Sequence, residues 1–327
     1  MFVHINPPAA HPHHHAWRAI KPWIDIQELP KHLANILPFL LGTVLAYWEV
    51  GTLNWAVFWV SLIALFFLTN GTYIGNEYFD FENDRINTSR IGGADKVTIT
   101  STGGTRVLVK GLIPRRQALI ASIVSFALAI PFGLYLQFVL DTGPWTIPLG
   151  LVAVFVGWFY TAPPIRASYR GLGELFIAVG QGLVIFGAYY VQHGFSWLPI
   201  VASLSWFVAL PALKIIREFP DYDADRSTEK RGLTIIFGRE RMSTVFGVMV
   251  LVAIALFTPV LLVLDSLLSV IILIPAALLA RSALITLSGE WRDPAKMETA
   301  AVSAFTGMLL IPVTLMVVFL ISAIRRW

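Results

Sequence analysis

The sequence predicts an all-α, polytopic membrane protein, a bundle of about nine transmembrane helices. Composition is the first observation behind this. Of 327 residues, 56% are hydrophobic and 13% charged, with a mean hydropathy of +0.70. A soluble globular chain carries about 25% charged residues. The second observation is the recurrence of apolar stretches close to the ~20 residues that cross a bilayer core as a helix. A membrane β-barrel would show short alternating segments instead. The third is the placing of cations. Once the spans are drawn, 22 of the 24 Lys and Arg residues fall on one side, which the positive-inside rule makes cytoplasmic. The net charge of +4 then belongs to juxtamembrane loops and does not imply nucleic acid. Cysteine is absent, so disulfides, thiolate nucleophiles and cysteine metal sites are excluded.

Taken in order, residues 1–17 are rich in His and Pro and lack the apolar core of a signal peptide. His11, His13, His14 and His15 read as a polar tail, since no other ligand cluster lies nearby. Residues 17–31 mix apolar and charged side chains. They predict an interfacial helix with Trp17 and Trp23 at headgroup level. The expected division is therefore a cytoplasmic tail and interfacial helix over 1–31 and a transmembrane domain over 32–327. Hydropathy places spans at about 32–49, 54–76, 116–138, 146–163, 173–192, 197–216, 242–264, 266–288 and 300–323. The loops opposite the basic side are short. On the basic side, the 85–116 connection is long and polar, with Gly92-Gly93 and Gly103-Gly104. It is either a lid whose backbone and cations contact phosphate oxygens or a mobile loop with ordinary positive-inside charge.

Two acidic clusters stand out, each just past an apolar span. Asn76, Asp80 and Asp84 are spaced i, i+4, i+8, which stacks them on one helical face. Asp221 and Asp225 repeat the i, i+4 spacing after the sixth span. Side-chain oxygens in this pattern suit a hard cation, and Mg²⁺ prefers carboxylates together with substrate phosphates. Either the two clusters face each other across a metal-bound diphosphate, or they are two solvated acidic loops. Each half thus has a helix ending in acids and followed by a basic loop, too faint a repeat to imply duplication. Tyr160 ends the fourth span before Pro163-Pro164. Glu174 begins the fifth, and Lys214 and Arg217 end the sixth. Such groups anchor or snorkel at the interface, or they serve a site if they face the bundle interior. No nucleophile-elbow, Walker or dinucleotide signature occurs.

The paired motifs Asn76-x-x-x-Asp80-x-x-x-Asp84 and Asp221-x-x-x-Asp225 resemble those of the UbiA superfamily of intramembrane aromatic prenyltransferases. The likeness covers nearly the whole chain after residue 30. Several stretches look most similar to the menaquinone branch, which prenylates 1,4-dihydroxy-2-naphthoate. These run from Tyr160 through Arg166 to Glu174, from Gly187 to Gln192, from Gly103 to Leu108 and from Lys230 to Thr234. Two departures accompany the likeness: Arg217 stands where that branch is expected to carry Asn, and Gly232 interrupts a Lys-Arg-Thr-Leu pattern.

The resemblance implies a helical bundle around a central cavity with a cytoplasmic cap, in the cell membrane, and the distribution of Lys and Arg puts both motifs on the cytoplasmic side. It implies a polyprenyl diphosphate donor, an aromatic acceptor and Mg²⁺ held by Asn76, Asp80 and Asp84 and by Asp221 and Asp225. These carboxylates with Tyr160 would be catalytic. Asn76, Arg106, Arg166, Lys214 and Arg217 would contact substrate. Family members with other acceptors take 4-hydroxybenzoate, homogentisate, a chlorophyllide, haem or a glycerol phosphate. A transporter with ion sites is the rival from another class. The acids at the membrane boundary disfavour it, because transporters place such sites near the midplane. A non-enzymatic assembly factor would need neither motif.

Overall fold

Fourteen α-helices account for most of the described residues, which in this computed structural model are 12–86, 104–227, 229–263 and 267–327. No strand occurs among them. His11, Arg90, Lys96, Gly92, Gly93 and Gly103 lie outside the described residues, and of His13, His14 and His15 only the backbone is described.

Helix α1 (Pro12–Asp25) starts earlier than the interfacial helix expected over 17–31 and takes in the His-rich residues. Proline suits the first helical position, where its missing N–H costs nothing. Trp17 and Ile20 are exposed on it. A short 3₁₀ turn leads into α2 (Leu33–Val50), which stops at Gly51 with φ 78°, a left-handed cap that favours glycine. Helix α3 (Trp55–Phe79) is started by Asn54, whose side chain accepts from the N–H groups of Ala56 and Val57. Next come α4 (Phe81–Ile86), α5 (Arg115–Phe138) and α6 (Thr146–Phe159), then α7 (Gly173–His193) and α8 (Leu198–Arg217). The chain continues through α9 (Tyr222–Arg226), α10 (Leu233–Phe237), α11 (Arg239–Ala255), α12 (Thr258–Val263), α13 (Leu273–Leu287) and α14 (Pro294–Arg326).

Eight stretches among the described residues are long and apolar enough to cross a membrane. The remaining expected span, the fourth at 146–163, is a helix of only 14 residues, ~21 Å long at 1.5 Å per residue. It ends at Phe159 because Pro163 and Pro164 follow, and proline can neither donate to the helix ladder nor leave its predecessor helical. The described residues thus form an integral membrane helical bundle in which eight apolar stretches are long enough to cross and α6 is short.

Helix α3 packs along α5, and α2 lies between α7 and α14. The main core gathers α8, α11, α13 and α14 around fully buried Trp206, Phe246 and Phe319. A separate small cluster caps the end of α3. It joins Ile26, Ile74, Val107, Leu108, Ile113 and Ala118. The described end of the 85–116 connection is therefore docked by apolar packing on the helix that carries the first acidic motif.

Candidate active site

Helix α3 brings Asn76 into its last turn and Asp80 to its C-cap. The axis breaks at Asp80, where α4 begins. The N–H of Asp80 still bonds the carbonyl of Asn76 at 2.8 Å, and the N–H of Asp84 that of Asp80 at 2.8 Å. The i, i+4 relation thus survives the break and keeps the three side chains on one column. Asn76 Oδ1 accepts from the Thr161 hydroxyl at 2.8 Å, and Asp80 Oδ1 from the Tyr169 hydroxyl at 2.7 Å. Burial pushes the Asp80 carboxyl up to about 6; Lys230 opposes the shift and Asp84 adds to it. The residue following α6, Tyr160, is likewise pushed up by burial, against the opposing charges of Lys214 and Lys230, and stays a neutral phenol.

The second wall forms where α8 ends. The N–H of Asp225 bonds the carbonyl of Asp221 at 2.8 Å, and both side chains are buried. The walls meet. Asn83 Nδ2 lies 3.5 Å from Asp225 Oδ1, and Lys230 Nζ lies 3.5 Å from Asp225 Oδ2. Burial works against the Lys230 ammonium, but Asp225, Asp80 and Glu218 outweigh it and raise its pKa. One lysine thus balances carboxylates from both motifs. Arg217 is within electrostatic reach of Asp221, Glu28 and Tyr160. Arg166 stacks on the Tyr169 ring at 3.9 Å and pairs with Glu229 at 3.2 Å. Arg106 has φ 60° and follows Thr105 on the docked segment; among the described residues it makes no ion pair with these carboxylates.

Several residues of this site were not singled out by spacing. Glu77 is buried beside Asn76 but off the i, i+4 column. Its carboxylate accepts from the N–H of Thr105 at 2.5 Å and the Thr105 hydroxyl at 3.0 Å. A Cβ at Gly104 would stand 1.8 Å from Glu77 Oε1 and 2.7 Å from Asp84 Oδ2, so only glycine lets this segment close over the two acids. An acid within an apolar span was the signal available for Glu77. Tyr169 and Lys230 carried no spacing signal. Lys214 lies between Glu174 at 2.7 Å and Glu218 at 2.5 Å, an ion triad that ties α7 to α8 beside Tyr160.

The donors suit a hard cation. All are amide or carboxylate oxygens, and Asn83 Oδ1 is buried where the walls meet with no hydrogen-bond partner among the described residues. No group of three or more His, Cys, Asp or Glu among the described residues could hold a metal by itself. The arrangement therefore fits a cation bound by one or two carboxylates and completed by substrate phosphate and water, the habit of Mg²⁺.

The family model described as the UbiA prenyltransferase family matches residues 35–310. The chain belongs to this family. Among curated relatives, this UbiA-family chain is 26% identical to a 1,4-dihydroxy-2-naphthoate octaprenyltransferase of Bacillus subtilis, over 65% of each chain. It thus spans just under two thirds of that relative's length. It is 28% identical to the Mycobacterium leprae protein of the same name, over 72% of this chain and 76% of that one. In fold it matches a UbiA homologue from Archaeoglobus fulgidus solved bound to GPP and Mg²⁺. That match has a TM-score of 0.62 and 16% identity, and covers 91% of this chain and 100% of the other.

Proposed function

We propose that this UbiA-family prenyltransferase moves a polyprenyl group from a polyprenyl diphosphate to 1,4-dihydroxy-2-naphthoate, a step of menaquinone biosynthesis. The observation that carries the reading is the meeting of two buried acidic walls at Asn83, Asp225 and Lys230. A diphosphate presents charge on two linked phosphates, and two facing acidic walls bridged by a lysine suit it. The naphthoate acceptor rests on the relatives named above and on the stretch from Tyr160 to Glu174.

In this reading Asn76, Asp80 and Asp84 would hold one Mg²⁺ and Asp221 and Asp225 another. Bound Mg²⁺ supplies charge neutralisation to the departing diphosphate. Lys230 and Arg217 place positive charge where diphosphate charge develops, which is where electrostatic stabilisation acts most strongly. Tyr169 orients Asp80, and Arg166 orients Tyr169. The Gly104–Thr105 segment, pinned by Glu77, excludes water that would quench the allylic cation. Tyr160 borders that cation as a neutral phenol. The electron-rich naphthol carbon then forms the new C–C bond, and loss of its carboxyl group as CO₂ restores aromaticity. Lys214, held between two carboxylates, keeps α7 and α8 in register beside Tyr160. Arg106 contacts the acceptor carboxylate or the diphosphate from the docked segment.

The test is competition. Purified protein receives one polyprenyl diphosphate, Mg²⁺ and equal 1,4-dihydroxy-2-naphthoate and 4-hydroxybenzoate, with products resolved by mass. A decarboxylated prenyl naphthol should dominate, and excess EDTA should abolish it until Mg²⁺ is restored. Exclusive prenylation of 4-hydroxybenzoate with its carboxylate retained would overturn the acceptor assignment. Full turnover in EDTA would overturn the metal assignment.

The proposed orientation puts both motifs and the α1 interfacial helix on the cytoplasmic side of the cell membrane. Because the chain has no cysteine, single cysteines report sidedness cleanly. Glu229→Cys, at an exposed position, should react with an impermeant thiol reagent only from the cytoplasm. Pro144→Cys, also exposed, should react only from the opposite side. Labelling of both from one face would refute the orientation.

A further inference from the structure

The acids engage only the polar head of the donor, so the apolar tail needs a separate place. Helices α3, α6 and α7 carry or border the acidic site at one end. Farther along the same helices, with α5, they enclose an apolar cavity. It offers about 1060 Å³ of empty space counted with its open side. Its polar lining is confined to Ser61 and Thr146. Both hydroxyls are engaged, Ser61 with the Val57 carbonyl at 2.7 Å and Thr146 with Thr142 at 2.7 Å. The wall therefore suits an apolar chain and nothing polar.

Three glycines from three helices line this cavity: Gly133 on α5, Gly150 on α6 and Gly187 on α7. A Cβ at any of them would meet nothing within 4 Å. By contrast, a Cβ at Gly71, Gly75 or Gly157 would meet a neighbour at 2.9 Å or less. The first three are therefore not close-packing glycines. Glycine in a helix interior is unfavourable relative to almost any other residue, and here no tight contact requires it. What it leaves is open volume. At 1.5 Å per residue, Gly150 lies ~14 Å from the Phe159 end of α6, and Gly187 ~21 Å from the Gly173 end of α7. Gly133 lies ~27 Å from the Arg115 end of α5. The cavity is thus displaced along the helices from the acidic end, at a depth that only the distal part of a tail anchored there would reach.

We propose that this cavity receives the distal isoprene units of the donor, and that Gly133, Gly150 and Gly187 set the longest tail accepted. The inference rests on the prenyl-transfer reading above. A phospholipid acyl chain shares the same chemistry, because Ile130 and Leu151 at the rim are exposed and would face bilayer.

The experiment compares the parent protein with Gly150→Ala, Gly150→Leu and Gly150→Phe in nanodiscs, using octaprenyl and geranyl diphosphate as donors. The ratio of kcat/KM for the long donor to that for the short one should fall stepwise with side-chain volume, reaching about tenfold or more for Phe, as pockets of fixed size discriminate. Gly187→Leu, on a different helix, should lower the same ratio and covers the case in which Gly150→Phe does not fold. An unchanged ratio in variants that turn over both donors would overturn the cavity assignment while leaving prenyl transfer intact. So would an unchanged ratio accompanied by loss of co-purifying phospholipid in native mass spectrometry, which would give the cavity to a bilayer lipid. Turnover of neither donor by the parent protein would overturn both readings.

Discussion

Asp80→Asn and Asp221→Asn should each lower kcat by about 10²–10³, the usual cost of removing one preorganised electrostatic contact to a developing charge. The two residues stand on opposite walls, so equal loss from both is the signature of a shared diphosphate. Asparagine nearly preserves shape, and at position 80 it can still accept from the Tyr169 hydroxyl. Folding should not suffer at position 80. Burial already disfavours the charged form there, and Lys230 keeps Asp225 as a partner at 3.5 Å. Steady-state kinetics and thermal unfolding in the same detergent check both halves. Near-parental turnover of both variants would sink the assignment of the acidic walls as the reaction site.

Lys214→Met should be the most destabilising single change near the site, by about 3–5 kcal/mol, the cost of breaking a buried pair by removing one partner. Its ammonium serves two buried carboxylates, Glu174 at 2.7 Å and Glu218 at 2.5 Å. Methionine matches the aliphatic stem but leaves both acids without this cation. The expected readout is a large drop in the unfolding midpoint, with part of it recovered in Lys214→Met/Glu174→Gln because one of the stranded charges is gone. A midpoint unchanged in Lys214→Met would show that the triad does not hold α7 and α8 together. A drop that the double variant does not recover would show that lost packing, not stranded charge, is the cause.

Several features needed nothing beyond local sequence. Membrane spans are read from runs of apolar residues, because each helix must satisfy its own backbone in the bilayer. The columns Asn76–Asp80–Asp84 and Asp221–Asp225 follow from helical period alone, and the bend at Asp80 does not disturb them because the i→i+4 bonds run through it. The shortness of α6 was also present in principle, in Pro163-Pro164, although hydropathy carried the expected span past it.

Tertiary packing decided everything that joins distant segments. Thr105 reaches Glu77 across 28 residues, Tyr169 reaches Asp80 across 89, and Asn83 reaches Asp225 across 142. No periodicity encodes such pairings, since they depend on which helix faces lie against each other. For the same reason sequence spacing singled out neither Lys230 as the shared counter-charge nor Gly104 as the residue that lets the cap close on two acids. Lys214 was visible as a cation near a helix end, but whether such a lysine snorkels to water or turns inward to buried carboxylates is settled by the neighbouring helix. Spacing does not separate Gly133, Gly150 and Gly187 from Gly71, Gly75 and Gly157. Only the packed bundle distinguishes a glycine that admits a neighbour from one that leaves space, because the difference lies in what stands opposite the missing Cβ.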